Sequence, residues 1–133
     1  MFRSDRILSK IHFGSDDSAF YLRLDFAQRR PFTLEVEFHE PAGTTVRSAL
    51  LAEPGRHALT INRAGARGEA AAALGDLLEI GIPLADLGLA PGSAVGFQVR
   101  VLVDQIEREC YPEHCPIQYT LLGAEWALEH WMV

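Results

Sequence analysis

A regular alternation of apolar and polar residues over two consecutive segments is the feature that most constrains the fold of this chain. From Phe20 to Phe26 and from Phe32 to Phe38 every even-numbered position is apolar, and tyrosine, arginine, threonine or carboxylate residues stand between them. Because successive side chains of a strand point to opposite faces, this pattern is typical of a sheet buried on one side. The short connection from Gln28 to Pro31 predicts a hairpin, which would place Arg23 beside a glutamate of the second strand.

Similar strand-like segments follow along the rest of the chain, separated by turn residues roughly every ten positions, a spacing typical of sandwiches and barrels. They are Ile7–Phe13, Thr45–Leu51, Arg56–Asn62, Leu77–Pro83, Val95–Asp104, Ile117–Leu122 and Trp126–Val133. The sequence therefore predicts an all-β fold, an antiparallel β-sandwich of two sheets. Its expected core consists of Phe20, Leu22, Leu24, Phe26, Leu34, Val36, Phe97, Val99 and Val101.

Two segments depart from the strand pattern. The alanine-rich stretch Glu69–Leu74 has helix propensity but is short, so its type stays open. Leu84–Leu89 predicts one helical turn that ends at Gly88, because glycine readily adopts the left-handed conformation found after a helix. We therefore expect at most one or two short helical turns.

The length and charge of the chain exclude several classes of protein. With 133 residues, 48% of them hydrophobic, the chain suits a single domain, residues 1–133, with its own core. The formal net charge is −6, and Lys10 is the only lysine, so we expect binding neither to nucleic acid nor to anionic membranes. Charged residues and prolines interrupt the most apolar stretch, and the N-terminus lacks an apolar signal region, so we expect no membrane span or secretory signal.

Several segments resemble known families of β-domain. Leu77–Val101 is similar to the strand–turn–strand signature of DOMON-type domains and family 9 carbohydrate-binding modules, and Gly14–Asp25 fits their opening hairpin. The tail, with Glu107–Pro112, Ile117 and Trp131–Val133, resembles the C-terminal β-domain of bacterial glycoside hydrolase family 57 proteins.

The resemblance implies a cytoplasmic, non-catalytic accessory domain excised from the C-terminus of a longer protein. The catalytic carboxylates of family 57 lie in a separate N-terminal barrel, which nothing in this chain matches. The implied partners are that catalytic domain in the same polypeptide or a second copy of the chain in a homodimer, with α-glucan as a ligand. The chain departs from the family at Cys110, where an aromatic residue is common, and at His114-Cys115. The alternatives are a free-standing carbohydrate-binding module and an interaction module without a small ligand.

The carboxylates in close pairs do not indicate catalysis. Asp16 and Asp17 lie in a Gly/Ser turn, where aspartates cap backbone amides, and a calcium site there is the alternative. Glu107 and Glu109 lie two positions apart, hence on one face of a regular strand, where ion pairing or solvation is the simpler interpretation. We assign no catalytic residue and expect no cofactor.

The cysteines and histidines do not form a recognisable metal motif. Cys110, His114, Cys115 and His130 have the residue types of a zinc site but not its usual spacing, so we expect no metal. Two free thiols are expected at Cys110 and Cys115, and a local disulfide between them is the alternative.

Aromatic residues are the remaining candidates for binding, because sugar sites use exposed aromatic rings together with polar groups. Each aromatic residue has core packing as its alternative. On one regular strand the spacing of Trp126 and Trp131 places them on opposite faces. We assign Trp126 to the core, and we predict Trp131, Tyr111 and Tyr21 as the carbohydrate- or partner-binding residues.

Overall fold

A computed structural model describes residues 6–122 and 128–132, the latter by their backbone. Its elements are β1 (Leu8–Ser15), β2 (Ala19–Phe26), β3 (Thr33–Glu40), β4 (Thr44–Ser48), β5 (Gly55–Arg63), β6 (Ala66–Leu74), β7 (Leu77–Pro83), α1 (Leu84–Leu87), β8 (Ala94–Val103), β9 (Ile106–Tyr111), β10 (Ile117–Thr120) and β11 (Leu128–Met132). None of the described residues belongs to a helix with the length and apolarity needed to cross a bilayer.

The strands form one strongly curled antiparallel sheet in the order β10-β8-β3-β4-β5-β6-β7-β2-β1-β11, with β9 also paired to β8. Its two halves face each other across the core. The centre of the Phe20 ring on β2 lies 6.0 Å from the ring centre of Phe38 on β3 and 5.3 Å from that of Phe97 on β8. The all-β antiparallel fold is confirmed. The backbone hydrogen bonding continues from one half to the other through β4, β5 and β6. The two layers of the predicted sandwich are therefore the two halves of one curled sheet.

The predicted core is confirmed. Phe26 is partly buried and packs against the other core residues. The other eight predicted residues are buried: Phe20, Leu22, Leu24, Leu34, Val36, Phe97, Val99 and Val101. The period-two pattern therefore identified the buried face of each of these strands.

The predicted hairpin between the two alternating segments is wrong. β2 lies between β1 and β7, whereas β3 lies between β4 and β8. Arg23 consequently stands opposite Glu79, and its Nε donates to Asp25 at 3.2 Å. The connection instead carries the chain from one half of the curled sheet to the other, so that Phe26 and Phe32 meet across the core at 5.9 Å.

The two ambiguous segments are resolved differently. The alanine-rich stretch is part of strand β6, which pairs with β5 on one side and β7 on the other, so tertiary pairing overrides its helix propensity. The helical turn is present as α1, and Gly88 follows it with φ of 70°, as predicted. Strand β9 was not predicted, because its outward residues are mostly charged and its exposed Ile106 gives no alternation.

The side chain of Glu109 on β9 joins one edge of the curled sheet to the start of β1. The carboxylate of Glu109, only 4% exposed, accepts hydrogen bonds from the backbone amides of Ile7 at 2.6 Å and Leu8 at 3.2 Å. These two amides precede the part of β1 that pairs with β11, which begins at Lys10. The hydroxyl of Tyr111 also donates to Glu109, at 2.8 Å. One buried carboxylate therefore takes the place of a neighbouring strand at the start of β1.

Candidate functional site

A shallow groove of about 540 Å³ crosses the outer face of the sheet over β2, β7 and β6 and reaches β5. Its floor is formed by three small residues at outward positions of central strands: Gly81 on β7, and Ala71 and Ala73 on β6. Larger side chains on either side, Tyr21 and Arg56, form its walls. The depression exists because glycine and alanine leave the sheet surface uncovered between them.

Tyr21 is the exposed aromatic residue of this groove, with 37% of its surface accessible. Its ring lies over Gly81, so close that a Cβ at that glycine would be 3.6 Å from the Cε1 atom. The hydroxyl donates to Oδ2 of Asp16 at 2.7 Å. Held at its ring and at its hydroxyl, the side chain is oriented before any ligand arrives, which reduces the entropy lost on binding.

Asp16 is fixed by the turn between β1 and β2. Its Oδ1 accepts hydrogen bonds from the backbone amides of Ser18 at 2.8 Å and Ala19 at 2.9 Å, which confirms the predicted capping role. The hydrogen bonds from the Tyr21 hydroxyl and the Ser18 amide lower the pKa of Asp16 to about 2. The same bond to Asp16 raises the pKa of Tyr21. At neutral pH the ionised carboxylate of Asp16 therefore accepts a hydrogen bond from the neutral hydroxyl of Tyr21.

The side chains of two charged residues of the groove have no hydrogen-bond or ion-pair partner within the described part of the chain. These are Arg56 on β5 and Glu79 on β7. Both stand opposite Ala73 in the strand register, one on each side of it. Their polar atoms are therefore available to a ligand that lies over the alanine.

The groove continues along strands β5, β6 and β7 toward Glu69 and Pro83. A second depression of about 400 Å³ shares Arg56, Ala71 and Gly81 with the first and is bounded by Glu69 and Pro83. Together the two depressions form one outer-face groove from β2 to β5.

The structure places the three predicted binding residues differently. Tyr21 lies in the groove. Tyr111 is only 7% exposed, packs with the core and donates its hydroxyl to Glu109, so little of its ring is open to a ligand. The backbone of Trp131 pairs with Ile11, but its side chain lies outside the described part of the structure, as does all of Trp126. The assignments of the two tryptophans stay predictions.

Glu107 and Glu109 do not share a face, contrary to the expectation for a regular strand. Glu107 pairs with Leu102 and Glu109 with Val101, so two positions of β9 span one step of β8, and a bulge lies between them. The bulge turns Glu109 into the core with Val101, whereas Glu107 stays outside, 3.0 Å from Nε of Arg100. The two carboxylates therefore cannot act on one substrate bond.

The cysteine region shows two free thiols. Cys110 is half-buried and Cys115 is exposed. Burial raises the pKa of the Cys110 thiol, which makes it a poorer nucleophile at neutral pH. Within the described residues no group of three or more histidine, cysteine or carboxylate side chains is placed to hold a metal ion.

The sequence indicated only part of the groove. Tyr21 was found because it is an aromatic residue on the outer, polar face of an alternating strand. Arg56, Glu79, Ala71 and Gly81 were missed, because outward small or charged residues are common on any sheet. The one available signal was the run of small outward residues on β6 and β7, and it acquires meaning only when these strands are neighbours.

Comparisons with protein-family models, with curated proteins and with solved structures find no match to this chain.

Proposed function

We propose that this chain is a non-catalytic accessory domain of a family 57-like glycoside hydrolase and contacts α-glucan through the outer-face groove. The observation that carries the proposal is the pre-oriented ring of Tyr21 beside a floor of glycine and alanine. An exposed aromatic ring can stack on the apolar face of a sugar, and neighbouring charged groups can bind its hydroxyls. Arg56 and Glu79 supply such groups within the same groove.

The pairing of the strands under the groove favours a sugar over an extended peptide. Peptides that bind to sheets usually add a strand to an unpaired edge and gain main-chain hydrogen bonds. Strands β2, β7, β6 and β5 are each paired on both sides, so their backbone groups are already used. A ligand in this groove must be recognised by side chains alone, which suits ring stacking and hydroxyl binding.

The attachment to a hydrolase and the α-linkage of the glucan rest on the sequence resemblance. In that arrangement the domain packs on the catalytic domain of the same polypeptide, or on a second copy of itself. Trp131 is the residue assigned to this contact by the sequence. The groove lies over β2, β7, β6 and β5, whereas β11 pairs with β1 beyond β2, so a partner contact at the tail and a sugar in the groove involve different strands.

Tyr21→Ala is expected to weaken the binding of maltoheptaose about thirtyfold, since removal of a central aromatic contact typically costs about 2 kcal/mol. Titration calorimetry with the purified chain measures the effect. Tyr21→Phe is the matched control, because it keeps the ring and removes only the hydrogen bond to Asp16. Equal affinities for the wild type and Tyr21→Ala would contradict the role of the groove.

The isolated chain is expected not to hydrolyse maltooligosaccharides. The carboxylate of Glu109 is buried and occupied by amide and hydroxyl donors, and Asp16 is occupied by the turn and by Tyr21. Chromatography of reaction products after prolonged incubation tests this. Turnover that survives repurification and disappears in Glu107→Gln or Glu109→Gln would overturn the expectation.

A further inference from the structure

The charged residues of the first depression, the one that contains Tyr21, are balanced in sign, and the adjoining depression adds Glu69 at its boundary. Arg23 and Arg56 contribute two positive charges, and Asp16 and Glu79 contribute two negative charges. Two of the four are occupied within the protein, because Arg23 pairs with Asp25 and Asp16 accepts the Tyr21 hydroxyl. A site without an excess of one sign gives no electrostatic preference to a charged ligand, and the net charge of −6 on the chain disfavours polyanions. Neutral ligands fit this charge distribution best.

The groove is too long for one sugar ring. It extends from Tyr21 on β2 to Arg56 on β5, and β7 and β6 lie between them. Three strand spacings of roughly 4.8 Å give a span of about 14 Å. The Tyr21 ring lies over Gly81 on β7, whereas Glu79 and Arg56 flank Ala73 on β6. A ligand that uses both positions therefore needs more than one linked unit.

The two unpaired charges define a second position for a sugar unit. The Arg56 guanidinium only donates hydrogen bonds, and the Glu79 carboxylate only accepts them. They stand on either side of Ala73, whose small side chain leaves space above the sheet. One sugar unit over Ala73 can accept from Arg56 and donate to Glu79 through different hydroxyls.

We infer that the groove binds a neutral glycan chain across four strands through two linked subsites, one on the ring of Tyr21 and one between Glu79 and Arg56. This inference rests on the proposed oligosaccharide binding. It adds the division of the groove into two subsites, the residues of the second subsite and the dependence of affinity on chain length.

The test is a chain-length series measured by titration calorimetry, with ligand-observed NMR for weakly bound short sugars. The probes are glucose, maltose and maltoheptaose, the cello-oligosaccharides of matching length, and an oligogalacturonate. The affinity for the preferred neutral series is expected to rise at least about tenfold from the monosaccharide to the longest chain, because a second set of hydrogen bonds to charged groups is added.

Variants separate the two subsites. Arg56→Gln and Glu79→Gln are each expected to weaken binding of the long chain about tenfold and to reduce the ratio of the long-chain affinity to the monosaccharide affinity. Tyr21→Ala is expected to weaken both. Arg30→Gln is the matched control, because Arg30 is an exposed arginine outside this groove.

Each outcome decides a different statement. Equal affinity for the monosaccharide and the long chain would overturn the two-subsite inference, and so would tighter binding of the oligogalacturonate. Binding of the cello-oligosaccharides alone would support the inference and contradict the α-glucan specificity. Failure of every sugar to bind would contradict the proposed function itself, and the inference with it.

Discussion

Glu109→Ala is expected to lower the free energy of unfolding by about 3–5 kcal/mol, because it leaves several buried donors without an acceptor. The amides of Ile7 and Leu8 and the hydroxyl of Tyr111 all donate to this one carboxylate. Within residues 6–122 and 128–132 the pairing of β1 with β11 starts at Lys10, so the amides of Ile7 and Leu8 lie outside it. Urea denaturation followed by fluorescence and by circular dichroism gives the value.

Two further variants separate the buried hydrogen bonds from a general loss of charge. Glu107→Ala removes an exposed carboxylate of the same strand, which pairs with Arg100, and is expected to cost at most about 1 kcal/mol. Glu109→Gln preserves the shape of the side chain but replaces one accepting oxygen by an NH2 group, which faces the donors instead of accepting from them. Most of the loss in the free energy of unfolding should therefore remain. Equal stabilities of Glu107→Ala and Glu109→Ala would refute the role assigned to the buried carboxylate.

Phe97→Ala is also expected to cost about 3–5 kcal/mol, the range found when a buried aromatic residue is truncated and leaves a cavity. Phe97 is fully buried on β8. The centre of its ring lies 5.6 Å from the ring centre of Phe13, 5.3 Å from that of Phe20 and 6.1 Å from that of Phe38. These neighbours come from β1, β2 and β3, so the ring joins both halves of the curled sheet.

Calorimetric or denaturant unfolding measures this loss against two controls. Phe97→Leu keeps most of the apolar volume and should cost clearly less than the alanine variant. Ile106→Ala truncates a side chain that is 67% exposed and should change stability by no more than about 0.5 kcal/mol. A cost for Phe97→Ala as small as that for Ile106→Ala would mean that the two halves do not depend on this cluster.

The residues of the core were predictable from local pattern, and their partners were not. Leu24 and Leu34 were assigned correctly to the interior, because the direction of a side chain within one strand follows from the period of the strand. The same alternation gave the wrong neighbour, since it is compatible with any pairing that buries the apolar face. The buried position of Glu109 was also missed, because a bulge breaks the two-residue period at that point.

The groove shows why the candidate site was only partly predictable. Tyr21 could be named from its place on the outer face of an alternating strand. Gly81, Ala71 and Arg56 are distant from it in sequence and join it only because β2, β7, β6 and β5 are neighbours in the sheet. No local preference of a glycine or an alanine indicates what will stand beside it.

The sequence by itself determined the all-β class, the buried face of most strands and the helical turn before Gly88, all of which depend on residues close together in the chain. Only the tertiary structure decided the strand order, the single curled sheet, the strand conformation of the alanine-rich segment 69–74 and the groove. Strand order depends on competition among many segments for the same edges, and that competition is settled by the packing of the whole core. For the same reason, the surface that a ligand meets is composed of residues that no stretch of sequence brings together.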